Sequence, residues 1–163
     1  MKNKRPKVIP AVFFHNTSVL ILILFVLSAL TSCSKISVKK PEGFAEVKKS
    51  STYYAVSPEG AIFRVRYTKN KPEKNLEFWK MAVKNHMTDE GYAFIKEADF
   101  STAKKPGVLF QWGAPLGNRN FVYLTAIVVF GKEIAIAEAA CEYSLFLTYE
   151  PELFASIKSI SIN

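Results

Sequence analysis

Few side chains in this chain of 163 residues are equipped for chemistry. It has two thiols, Cys33 and Cys141, and beyond residue 32 its only histidine is His86. The thiols differ in setting. Cys33 closes Leu30-Thr31-Ser32-Cys33, where small residues precede a thiol at the end of a long apolar run. That arrangement suits cleavage at Ser32/Cys33 and modification of the sulfur. Cys141 lies in a segment, residues 133–142, that alternates as a strand does: counting by twos puts Ala135, Ala137, Ala139 and Cys141 on one face. A row of such small side chains suits a helix packed closely above it, where Cys behaves as a small hydrophobe. Glu138 points to the opposite face and interrupts the series Ile134, Ile136 and Ala140. A carboxylate among apolar neighbours needs a partner, and Arg64 or Arg66, alternating with Phe63 and Val65, is expected to supply it as a buried ion pair. His86 lacks a second histidine or a thiol nearby and reads as a helix-surface residue. There is no Gly-x-Ser-x-Gly elbow, no glycine-rich phosphate loop and no metal-ligand cluster, so no catalytic residue, cofactor or metal is expected. The alternative is an enzyme using Glu138 or His86.

The apolar stretch Val19 to Leu30 is twelve residues long and follows a basic start at Lys2, Lys4, Arg5 and Lys7. That length fits the core of a secretory signal and falls short of the roughly 20 residues needed to span a bilayer. With Leu30-Thr31-Ser32-Cys33 at its end, the segment resembles the leader and lipobox of bacterial lipoproteins. The resemblance implies a signal peptide over residues 1–32, cleavage before Cys33 and a palmitate-type diacylglycerol thioether on Cys33. It places the protein in the cell envelope, held at a membrane by lipid. Ser34 is not the Asp that commonly signals inner-membrane retention in Gram-negative lipoproteins. The periplasmic face of an outer membrane is therefore favoured where one exists, and otherwise the outer face of the cytoplasmic membrane.

Residues 33–163 are enough for one compact domain with a real core. The whole chain carries 22 Lys and Arg against 14 Asp and Glu, but four of those cations are in the leader, leaving 18 against 14. The surviving lysine pairs lack the interleaved aromatics of single-strand nucleic-acid binders, and no nucleic-acid partner is expected. Lys35, Lys39 and Lys40, next to the anchor, are placed to meet anionic headgroups.

Residues 33–43 read as the lipidated Cys and a polar tether, and residues 44–163 as a single globular domain. Strands are expected at Phe44–Lys48, Thr52–Val56, Ala61–Thr68, Tyr92–Phe100, Val108–Ala114, Asn120–Phe130 and Glu133–Glu142. Phe121 to Phe130 is apolar except at Thr125 and should be buried on both faces. Leu76, Trp79, Val83 and Met87 recur at helical spacing and predict a helix over Glu73–Glu90, ended by Gly91, with Phe78 and Met81 on the opposite side. A shorter helix is expected over Glu150–Lys158, with Pro151 near its first position, followed by an extended Ser159–Asn163. The outcome is an α+β chain: an α/β/α sandwich of an antiparallel sheet of about six or seven strands, one long helix and one C-terminal helix. Tyr53, Tyr54, Trp112 and Phe78 are the expected contact surface for a protein partner in the envelope. Trp112 stands out because Gly113 and Pro115 follow it, although its parity with Val108 and Phe110 favours the core over a contact.

The segment 57–65 (SPEGAIFRV), the helix with Trp79 ending at Gly91-Tyr92, the strand with Ile136 to Glu138 and the closing 154–160 (FASIKSI) resemble the PsbP-like fold. That fold is shared by oxygen-evolving enhancer proteins, a Ran-binding nuclear import factor and DcrB-type lipoproteins. The resemblance implies a docking or stabilising module without enzymatic activity, and none of those proteins' functional residues match positions here.

Overall fold

The computed structural model describes residues 36–47, 52–116 and 119–162. The proposed leader, the Ser32/Cys33 cleavage site and the lipidated Cys33 lie outside them. The elements are β1 (Ile36–Ser37), β2 (Ala45–Glu46), β3 (Tyr53–Val56), β4 (Ile62–Lys69), α1 (Leu76–Asp89), β5 (Ala93–Ser101), β6 (Pro106–Leu116), β7 (Arg119–Phe130), β8 (Glu133–Glu142), α2 (Tyr143–Lys158) and β9 (Ser161–Ile162). Seven strands form an antiparallel sheet in the order β2-β3-β4-β8-β7-β6-β5, and β1 pairs with β9 separately.

β7 and β8 lie at the middle of the sheet, so the apolar run in β7 is covered from both sides, as its sequence demands. Gly131, with a positive φ of 67°, turns the chain between them. Below the sheet, Phe63, Val65, Leu124, Ala126, Ala135, Ala137, Ala139 and Cys141 pack with Phe146, Leu153 and Ile157 of α2. Above it, Val108, Phe110, Trp112, Ile127 and Ile134 pack with Leu76, Trp79, Val83 and Met87 of α1. Each helix thus packs on one face: α2 closes the lower one, and α1 covers the upper one over β6 and β7. The sandwich expected from the sequence is the observed one.

Cys141 belongs to the lower core at 3% exposure, and burial pushes its thiol up to about 11. At neutral pH it is a protonated packing group. A reactive thiolate would require the opposite shift.

Three differences from the sequence reading have a clear physical cause or bear on the packing. α2 begins at Tyr143, so Pro151 stands in the helix interior. A proline there removes one N–H, the one that would bond the Leu147 carbonyl, and Leu147 is 79% exposed, where water can replace it. Phe146, Leu153 and Ile157 bury one face of the longer helix and outweigh the lost bond. α1 starts at Leu76, three residues later than expected, because the Asn75 side chain accepts the Phe78 N–H at 3.0 Å and fixes the first turn. Its end matches: Gly91 has φ 84°, Tyr92 N–H donates to the Met87 carbonyl and Gly91 N–H to that of Thr88. Finally, the expected tether is not free chain. Within it, Ile36 and Ser37 pair with Ile162 and Ser161, and Pro41 is buried.

Asn70, the residue after the end of β4, is the polar hub that seats α1. It is 2% exposed. Its Nδ2 donates to the carbonyls of Lys74 (2.8 Å) and Gly131 (2.7 Å), while Oδ1 accepts from Lys74 N–H (3.0 Å) and the Trp79 indole N–H (2.8 Å). Its backbone N–H donates to the Lys132 carbonyl at 2.8 Å. One amide thereby ties the helix start to the β7–β8 turn. Asn70→Asp keeps the shape but cannot donate, leaving two carbonyls facing an acceptor. A loss of about 2–4 kcal/mol in denaturant melts is expected, and a loss below about 1 kcal/mol would contradict the hub.

Candidate functional site

The upper face of the sheet is only partly covered. α1 lies over β6 and β7. Towards β8, β4 and β3 the same face carries Ile136, Glu138, Ala140, Ile62, Arg64, Arg66, Tyr54 and Val56, none of them buried. The opposite faces of those strands are closed: Ala55, Phe63, Val65 and Ala137 are at 0% exposure. The register aligns the open side chains in rows. Tyr54, Arg64, Glu138 and Thr125 follow one another across β3, β4, β8 and β7, with Val56, Ile62, Ala140 and Tyr123 in the next row.

Glu138 sits at the centre of these rows. Its Oε2 accepts from Arg64 Nε at 2.9 Å and lies 2.6 Å from Arg64 Nη2, and it also accepts from Arg66 Nε at 3.3 Å. Its Oε1 accepts the Tyr123 hydroxyl at 2.8 Å. Burial, and then the Glu138 carboxylate itself, push the Tyr123 phenol far above its usual range and keep it an O–H donor. The structure therefore brings Glu138 together with both candidate arginines and adds Tyr123, which the sequence reading did not pair with it. Residue parity on β7, two positions before Thr125, was the available signal. The carboxylate side chain is 13% exposed, but the arginines are 44% and 43% exposed, so this cluster lies at the margin of the core and not inside it. Both carboxylate oxygens are occupied by donors, an arrangement that holds three strands together and presents two guanidinium groups outward.

The other candidates disperse. Trp112 is a correction: it is 0% exposed, stacked against Phe110 and edge-on to Phe94 beneath α1. Its parity with Val108 and Phe110 outweighs the Gly and Pro that follow it. Tyr53 is half-buried on the lower face against Phe63, and its hydroxyl is pushed up to about 12 by burial and then by Glu46. Tyr54 lies on the open face beside Arg64. Phe78 is 39% exposed on α1, edge-on to Trp79. His86 is exposed near the end of α1. Among the described residues no group of three His, Cys, Asp or Glu side chains is placed to hold a metal ion. A cleft of about 520 Å³ between the start of α1 and the adjoining ends of β5 and β6 is lined by Glu77, Asp99, Phe100 and Ser101 among others, with no histidine or thiol.

A half-exposed cluster should be worth less than a buried pair, for which removing one partner costs about 3–5 kcal/mol, and more than a surface pair at about 0–1 kcal/mol. Glu138→Gln is expected to cost about 1–2 kcal/mol. In double-mutant cycles its coupling to Arg64→Met should exceed that to Arg66→Met, because Arg64 makes the two closer contacts. Equal coupling, or none to Arg64, would contradict this geometry.

No protein-family description matches the chain, and no curated protein matches it. Similarity appears among solved structures. The crystal structure of LpqN, involved in cell envelope biogenesis of Mycobacterium tuberculosis, superposes with a TM-score of 0.66 at 9% identity, covering 78% of this chain and 83% of that one. A protein of unknown function from Pseudomonas aeruginosa gives 0.58 at 9% identity, covering 78% and 97%. Cyanobacterial PsbP from Synechocystis sp. PCC 6803 gives 0.57 at 8% identity, covering 81% and 89%. At such identities the likeness is one of fold, and the fold of this chain is PsbP-like.

Proposed function

We propose that the chain is a lipid-anchored envelope protein whose domain serves as a binding or assembly-accessory module. The observation that carries the reading is the pairing of two features: a leader ending in Leu30-Thr31-Ser32-Cys33, and a rigid sheet with one face left partly open. Two or three acyl chains on Cys33, at about 0.8 kcal/mol per buried methylene, would hold the protein at a membrane indefinitely. Among the described residues no helix is long and apolar enough to cross a membrane. The involvement of LpqN in envelope biogenesis and the PsbP-like fold support a non-enzymatic accessory role. An enzyme using Glu138 or His86 is less well supported, since the former has both oxygens occupied and the latter stands alone on a helix surface. The partner surface is the patch of Tyr54 and Arg64 with Ile62 from the adjacent row, where aromatic, aliphatic and guanidinium groups lie together and can anchor a protein. The location is the periplasmic face of an outer membrane where the source has one, and otherwise the outer face of the cytoplasmic membrane.

Metabolic labelling with a fatty acid, membrane fractionation and co-purification from solubilised membranes test this together. The parent chain should be labelled, processed and recovered with a stoichiometric protein partner that Tyr54→Ala with Ile62→Asp fails to retain. Cys33→Ala should abolish label and processing. A Cys33→Ala chain processed to the same size and equally membrane-bound would refute the anchor, and a partner retained by the double variant would refute the surface.

A further inference from the structure

We infer that the face around β9 is a docking surface for the anionic headgroups of the membrane, which orients the domain on its anchor. The inference rests on the lipid at Cys33 proposed above and adds a defined surface to it. β1 begins three residues after Cys33 and is already paired with β9, Ile36 opposite Ile162 and Ser37 opposite Ser161. Three residues span at most about 11 Å. A lipid on Cys33 would therefore hold the β1–β9 pair against the headgroup layer with almost no slack.

Around that pair the fold gathers cations that are remote in sequence. Lys39 donates its backbone N–H to Ser159 Oγ at 2.7 Å, beside Lys158 at the end of α2. From the β5–β6 turn, Lys104 Nζ reaches the Ile162 carbonyl at 3.4 Å. Lys40 and Lys105 adjoin these, and all five lysines are exposed. The turn is built to present its pair: Thr102 Oγ1 accepts the N–H groups of Lys104 and Lys105 at 3.2 and 3.0 Å and donates to the Lys105 carbonyl at 3.0 Å. By contrast, Lys80 and Lys84 pair with Glu97, and Lys96 with Glu150. Among the described residues none of the five around β9 lies within ion-pair distance of a carboxylate. Unpaired, convergent charge at the point where the chain meets a membrane is complementary to anionic phospholipid. Each cation near such a surface adds about fivefold to partitioning, an effect lost beyond a Debye length.

The test uses the processed lipoprotein reconstituted into vesicles of phosphatidylcholine, with or without phosphatidylglycerol and with a trace of nitroxide-headgroup lipid. A fluorophore is attached at Ala103→Cys, in the β5–β6 turn, or at Asp89→Cys, at the end of α1 and separated from that turn by the length of β5, about 30 Å. Both positions are exposed, whereas Cys141 is buried. With phosphatidylglycerol present, quenching at position 103 should exceed that at 89 several-fold. The difference should shrink in high salt and in a chain carrying Lys39→Gln, Lys40→Gln, Lys104→Gln, Lys105→Gln and Lys158→Gln. Equal quenching at the two positions, or a difference indifferent to both salt and neutralisation, overturns the docking surface while leaving the anchor intact. A chain that does not float with the vesicles at all refutes the anchor, and this orientation with it.

Discussion

The alternation of small and larger side chains along β8 is the constraint on which the rest of the molecule depends. Ala135, Ala137, Ala139 and Cys141 leave room on one face for α2 to approach the sheet closely, and every one of them is at 3% exposure or less. The other face carries Ile134 and Ile136 under or beside α1, and then Glu138 where that helix no longer reaches. Because side chains on a strand alternate with period two, a slip of one residue would drive Glu138 into the packed layer and expose the alanines. Register is therefore strongly specified at the centre of the sheet, and the outer strands inherit it through pairing.

From that constraint follow one closed face and one half-open face. A sheet surface without a helix over it must either become polar or be covered by something else. Here it is polar where Arg64, Arg66, Glu138 and Tyr123 meet, and aliphatic or aromatic where Val56, Ile62 and Tyr54 lie. The carboxylate is saturated and cross-links β4, β8 and β7, so the cluster stiffens a surface without offering a reactive group. Rigidity of this kind lowers the entropy lost when a partner binds. Together with the proposed leader ending at Cys33, it favours the proposed reading of a binding module over that of a catalyst.

How much of this was legible in the sequence depended on the range of the interactions. The parity of β8, the double-sided burial of β7 and the stripe Leu76, Trp79, Val83 and Met87 are local periodicities, and they led to the correct layers. The partnership of Glu138 could be narrowed to two arginines because Arg64 and Arg66 were the polar positions on another buried strand. What was not legible was non-local or overridden. Trp112 carried two opposed signals, glycine and proline neighbours that suit an exposed contact and a parity with Val108 and Phe110 that suits the core, and packing under α1 decided for the core. The N-cap of α2, Glu142, makes no side-chain cap bond, so nothing marked the helix start there and Pro151 looked like its first turn. Asn70 finds most of its partners in backbone carbonyls and amides, including one 61 residues away, which no side-chain pattern reveals. The β1–β9 pair joins opposite ends of the domain through two residues each, too short for any periodicity.

The most direct test of the central constraint is to place the same enlargement on the two faces of β8 and compare denaturant unfolding free energies. Ala137 is at 0% exposure beneath α2, whereas Ala140 lies on the half-open face opposite Ile62 and Tyr123. Ala137→Leu should cost about 1–3 kcal/mol by overpacking the closed layer. Ala140→Leu should change stability by no more than about 0.5 kcal/mol. Equal losses, or a larger loss at Ala140, would contradict an architecture with one closed and one open face.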